Sequence, residues 1–168
     1  MKTNLLGLVL LFSVVFAMNS CSSDTSETSS DTLTKTQVVE DYTYSVDELE
    51  TMKLINEYRV SIGLNALEKI NHISFKSEEH DNYMIVNNVV NHDDFVARSE
   101  NIINTLGAKT VGENIAYNFS SPKAAVQAWL NSPTHKENIE GDYTNFGLAI
   151  RVNPTTGKKY YTNIFARI

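Results

Sequence analysis

Apolar residues recur at near-helical spacing along the first stretch of the domain, at Leu49, Met52, Ile55, Tyr58 and Ile62. Such a stripe predicts an amphipathic helix facing a core. Ser45-Val46-Asp47-Glu48 precedes it with the spacing of a capping box, and Gly63 supplies the stop. A second helix is expected from about Asn71. There Ile73, Ser77, His80 and Met84 fall four, three and four residues apart and share one face. His80 is therefore expected to point inward. Polar residues around Val89 and Val90 break that pattern. Asp93 or Asp94 can cap a short third helix carrying Phe95, Ile102 or Ile103, and Leu106, ending at Gly107. Ser121-Pro122 and Ser132-Pro133 each place a cap residue before a proline, the usual opening of a helix. The first of these two helices carries Ala125, Val126, Trp129 and Leu130, and the second ends at Gly141.

After Gly141 the period falls from 3.6 to 2. Phe146, Leu148 and Ile150 alternate with Gly147, Ala149 and Arg151. A turn at Asn153-Pro154-Thr155-Thr156-Gly157-Lys158 leads to a second alternating run, Tyr160 to Ala166. The pair reads as a β-hairpin, and Val111 to Tyr117 as a further strand. Helices followed by strands give an α+β class, with helices packed on an antiparallel sheet.

Residues 1–20 differ from the rest. Lys2 is followed by an apolar run from Leu5 to Met18, too short for a membrane span and right for a secretory signal. Cys21, the only cysteine, stands where cleavage is expected, so the segment resembles a bacterial lipoprotein signal with Cys21 as the lipidated residue. Met18-Asn19-Ser20 is a loose version of the usual lipobox; the other reading is plain secretion with a free thiol. Ser, Thr and acidic residues then dominate to Val46, a composition that buries too little to order itself. Residues 21–46 are thus expected to be a flexible tether, and 47–168 the domain. The acidic Ser22-Ser23-Asp24-Thr25-Ser26-Glu27 resembles export tags on surface lipoproteins of some Gram-negative bacteria, and a solvated spacer explains it equally well. These features place the protein in the cell envelope, lipid-anchored at the outer membrane.

The whole chain has 168 residues and a formal charge of −6, with no basic cluster. That argues against nucleic acid as a partner. A single cysteine excludes an internal disulfide framework and a zinc site built on several thiolates.

The chemistry centres on Glu113, an acid set among Val111, Ile115, Ala116, Tyr117 and Phe119. A carboxylate in such company needs a partner. The candidates are His80, His92 and His135; His72, beside a helix start, is expected to be solvated. His135 lies in the first turn of a helix, whose dipole favours neutral imidazole there. Two imidazoles and a carboxylate match a catalytic zinc set with an open position, and equally a metal-free acid/base pair. His92, Glu113 and His135 are 21 and 22 residues apart, with no local metal motif.

Several stretches, in order, resemble the CAP superfamily of cysteine-rich secretory, antigen 5 and pathogenesis-related 1 proteins, in its bacterial SCP-domain branch. They are LINEYRVSIGLNAL, EEHDNYM, VNHDDFVARSENI, GENIAYNFSSPKAAVQAWLNSPTHKENI and YTNFGLAIRV with YYTNIF. The resemblance implies an α-β-α sandwich with a small antiparallel sheet between helical layers. It implies a polar cleft in which the family histidines map to His92 and His135 and the cleft glutamate to Glu113. His80 matches a histidine of the bacterial branch, and Asn114, Tyr117 and Ser132 are expected to line the same cleft. Eukaryotic members carry a second cleft glutamate; here Trp129 is followed by Leu130, Asn131 and Ser132.

The resemblance implies a surface-tethered module that binds a lipid, a cell-wall glycan or a protein. The alternative is a peptidase-like hydrolase using His92, Glu113 and His135, with Zn²⁺ on His92 and His135 or by acid/base catalysis. Ser99, Ser120, Ser121 and Ser132 are the remaining nucleophiles, and capping accounts better for Ser121 and Ser132. Arg98 can pair with Glu113 or Asp94. Asn114 and Asn138 are expected to hydrogen-bond backbone near the site, and Trp129 to pack in the core.

Overall fold

A computed structural model describes residues 37–168. The signal, Cys21, the acidic run and the tether up to residue 36 lie outside the described residues. Thr34–Ile168 forms one compact unit. Its elements are α1 (Val46–Ser61), β1 (Glu68–Lys69), α2 (Asn71–Asn87), α3 (Phe95–Leu106), β2 (Thr110–Tyr117), α4 (Pro122–Leu130), α5 (Pro133–Glu140), β3 (Asn145–Val152) and β4 (Lys159–Arg167). The strand order is β1-β3-β4-β2. The three long strands pair antiparallel, while the two-residue β1 runs parallel to β3, so the sheet is mixed rather than purely antiparallel.

The α-β-α layering follows from strand alternation. One face of the sheet presents Ala116, Phe146, Leu148, Ile150, Tyr161 and Phe165 to Met52, Ile55, Val126, Trp129 and Ile139 of α1, α4 and α5. The other presents Ile115, Tyr160, Ile164 and Ala166 to Ile73 and Met84 of α2 and Ile102 of α3. Gly147 lets α2 reach the sheet: a Cβ there would run into the Ser74 nitrogen and Ile73.

The capping box at α1 forms as expected, Ser45 Oγ accepting from Glu48 N at 3.2 Å and Glu48 Oε2 from Ser45 N at 2.7 Å. The buried stripe is displaced from the apolar one, however. It consists of Glu48, Thr51, Met52, Ile55 and Arg59, while Leu49 and Ile62 are exposed. Both charged heads have partners inside. Glu48 Oε1 accepts from Ile150 N and Arg151 Nη1, and Arg59 Nη1 donates to the carbonyls of Ile139 and Gly141.

Side chains meet the free edges of the sheet, which are β2 and the part of β3 beyond the two-residue β1. On β3, Leu148 N–H donates to Ser74 Oγ and Ile150 N–H to Glu48. On β2, Trp129 Nε1 donates to Ile115 O at 2.8 Å and Asn138 Nδ2 to Glu113 O at 3.1 Å. Two amides of β3 and two carbonyls of β2 that would otherwise help template another strand are thereby satisfied.

Three expectations need correction. Residues 37–45, assigned to the flexible tether, lie against the domain: Val39 N donates to His72 Nδ1, Tyr42 OH to Glu48, and Tyr44 OH to Asn71. His72, expected in solvent, is 1 % exposed, with Nε2 on Asn101 Oδ1 at 2.8 Å. Both partners are distant in sequence, so no local signal revealed them. Asp94 precedes α3 with φ 58° and makes no side-chain cap bond; Asp93 instead accepts from Tyr83 and Asn91.

Candidate functional site

Glu113 and Asn114 are neighbours on β2 and so point to opposite faces of the sheet. Glu113 bonds the ring of His92 and Asn114 the main chain of His135. The site therefore straddles the outer strand of the sheet.

On the α2–α3 face, the Glu113 side chain is 1 % exposed. Arg98, from the first turn of α3, grips it with Nε to Oε2 and Nη2 to Oε1, both at 2.9 Å. Arg98 Nη1 also donates to Asp93 O. His92 Nδ1 lies 2.8 Å from Glu113 Oε1. The carboxylate only accepts, so Nδ1 carries a proton and donates, and Nε2 has no partner among the described residues. The His92 side chain is half exposed. His80 sits behind this loop. It is buried, places Nε2 2.8 Å from Asn91 O, and stacks on Tyr83 with centroids 5.8 Å apart. It positions the His92 loop and lines no open surface. Burial, then the Arg98 charge, lowers its pKa.

On the other face, Asn114 Nδ2 donates to the His135 carbonyl at 2.8 Å, and Asn138 Nδ2 donates to Asn114 Oδ1 at 2.8 Å. Asn138 also reaches Glu113 O, linking the two halves of the site. Gly112 accommodates this arrangement, since a Cβ there would meet Tyr143 Oη and Asn138 Oδ1. Ser132, expected to cap α5 with its hydroxyl, makes no side-chain cap bond, and its Oγ lies 2.8 Å from His135 Nδ1 instead. The His135 pKa is lowered by burial and then by charge on His92.

Tyr117 is not drawn into this group. It stands four residues along β2 from Glu113, roughly 13 Å at strand rise, packed edge-on against Tyr160 with Lys158 over its ring. The open choice for Arg98 resolves to Glu113. Asn138, read only as a backbone partner, joins Asn114 in holding His135. A grooved hollow of about 580 Å³ lies elsewhere, over Lys53, Asn56, Glu57, Val60 and Ser61.

The donor set suits a metal only in part. Among the described residues no three His, Cys, Asp or Glu side chains converge as a metal cage. Glu113 is committed to Arg98 and His92. His92 Nε2 and His135 Nε2 remain as neutral donors, each oriented through its Nδ1, which is how protein scaffolds prepare imidazole ligands. Their chemistry suits zinc, but among the described residues they complete no three-ligand catalytic centre.

The sequence pattern of the cysteine-rich secretory protein family, CAP, matches residues 52–165. The chain belongs to the CAP family. An uncharacterized membrane protein of Bacillus subtilis, YlbC, is 30% identical over 130 residues, which is 73% of this chain and 35% of that protein. This CAP chain thus spans about a third of that relative. Among solved structures, an extracellular protein containing a SCP domain from Bacillus anthracis is similar with TM-score 0.64 and 27% identity, covering 73% of this chain and 40% of that one. An outer surface protein from Borrelia burgdorferi shares the fold with TM-score 0.63 and 23% identity, over 75% of this chain and 98% of that one. The CAP assignment accounts for the layering. Relatives of this CAP domain are described as extracellular, outer-surface or membrane proteins.

Proposed function

We propose that the protein is a binding module of the bacterial cell envelope, anchored in the outer membrane by lipid on Cys21, whose ligand docks on the imidazoles of His92 and His135. The observation that carries this reading is the enclosure of Glu113. Both carboxylate oxygens are engaged, by Arg98 and His92, and the side chain is closed off from solvent. A general base must come within reach of the proton it takes; Glu113, enclosed and gripped by Arg98, instead orients His92. His92 Nε2 can accept a hydrogen bond and His135 Nε2 can accept or donate one according to its tautomer, which favours a glycan or peptide over the hydrocarbon part of a lipid. Bound Zn²⁺ would be held by His92 and His135 and would add a Lewis-acidic contact to the ligand.

The test is calorimetric titration of Zn²⁺, and of peptidoglycan fragments with and without it, into residues 34–168 and into His135→Ala. Saturable binding lost in the variant supports the module. Wild-type binding of neither probe, or binding indifferent to His135, overturns it.

One observation favours the hydrolase alternative: Ser132 Oγ stands 2.8 Å from His135 Nδ1, a serine–imidazole contact. No carboxylate orients the far side of that ring among the described hydrogen bonds. Ester and casein hydrolysis by wild type, abolished in Ser132→Ala, would establish this reading in place of the first.

A further inference from the structure

Asn163 lies in the middle of β4, fully buried, and neither its Oδ1 nor its Nδ2 has a hydrogen-bond partner among the described residues. Its strand neighbours on the same face are Tyr161 and Phe165, and Leu148 stands across from it on β3. A primary amide in such surroundings is costly to leave unsatisfied, since both polar ends forfeit the water they had in the unfolded chain.

The register places Asn163 directly opposite Asn114 of β2. Their side chains share a face, with Cβ atoms about 5.5 Å apart by sheet geometry. They nevertheless do not bond to each other. Asn114 gives one N–H to the His135 carbonyl and one lone pair of Oδ1 to Asn138. It keeps a second N–H and a second lone pair. Asn163 thus brings two unmet groups to a neighbour with two spare ones.

We propose that this place is a binding site for a buried water molecule, which bridges the Asn163 amide to Asn114 and completes the polar chain Asn163, water, Asn114, His135. Buried waters occupy polar sites with two to four partners, and this one offers that number within a single cross-strand pair. The water makes Asn163 a positioning residue for His135. It ties the central strand to the asparagine that holds the α5 backbone at the cleft, although Asn163 itself never reaches the surface.

Two measurements test this, and neither depends on the ligand assigned above. The first is a crystal structure of residues 34–168 at a resolution where ordered water is visible. The expected result is a water within hydrogen-bond distance of both Asn163 and Asn114. A dry Asn163, or one bonded directly to Asn114, overturns the proposal. The second is the NMR signature of the Asn114 side-chain amide and of the Lys136 backbone amide, which report the bond to the His135 carbonyl. Asn163→Leu should shift both resonances from their wild-type positions, and Asn163→Ser, which keeps a polar group and leaves room for water, should restore them. Resonances unchanged in Asn163→Leu would make Asn163 a purely structural residue and overturn the positioning role.

Discussion

Arg98 holds both oxygens of Glu113 through two parallel contacts of 2.9 Å, one from Nε and one from Nη2. The planar fork of the guanidinium matches the carboxylate, which no ammonium can do. Arg98→Leu leaves a carboxylate inside without its countercharge and is expected to cost about 3–5 kcal/mol. Arg98→Lys should recover only part of that. Urea denaturation of both variants measures it, and a loss below about 1 kcal/mol for the leucine variant, the level of a single ordinary hydrogen bond, would refute the pairing.

Asp81 gives a pH dependence of unusual sign. It is fully buried, accepts one bond from Thr162 Oγ1 at 2.6 Å, and burial raises its pKa well above the usual carboxylate range. The folded protein therefore favours the protonated acid. Its contribution is complete below the unfolded value of about 3.9 and declines as pH rises toward the folded one. Asp81→Asn should be close to neutral near pH 4 and stabilising near pH 8. Equal destabilisation at both, by thermal melts, would contradict this.

His80 behaves in the opposite sense. Its lowered pKa means that the unfolded chain takes up protons first, so stability is present above about pH 6.5 and falls as pH drops below it. His80→Phe should flatten that slope. It should also free Asn91 O and speed amide exchange across residues 88–94. Exchange identical to wild type would mean that the loop is held by Asp93, Tyr83 and Arg98 alone.

Gly147 and Gly112 both refuse a methyl group, for unequal reasons. At Gly147 the obstacle is the α2 backbone at Ile73 and Ser74. At Gly112 it is the hydroxyl end of Tyr143 and the Asn138 amide, which can shift. Gly147→Ala is expected to lose about 1–3 kcal/mol or more, and Gly112→Ala less. The reverse order in chemical denaturation would show that α2 yields more readily than this packing allows.

Local signals in the sequence were dependable. The Ser45–Glu48 capping box, the Ser121-Pro122 start with Ser121 Oγ accepting from Ala124 N, and the period-2 hairpin all appear where their residues predict them. What failed was long-range. His72 is held by Val39 and Asn101, 33 and 29 residues away. Glu48 and Arg59 are drawn inside by backbone groups of β3 and α5 that lie 80 to 102 residues on. Ser132 carried a cap signature, yet a side chain one helical turn later claimed its hydroxyl. At the site, strand alternation over Val111 to Tyr117 already sends Glu113 and Asn114 apart. That His92 and His135 are the recipients came from family resemblance, because no spacing rule links residues 21 and 22 positions apart.

The closure of β2 by Trp129 and Asn138 limits how this domain can read another molecule. A visiting strand finds the carbonyls of Glu113 and Ile115 already taken, so ring nitrogens and amide tips are left to carry much of the recognition. Such readers change taste by swapping a handful of loop residues while the scaffold beneath is left untouched.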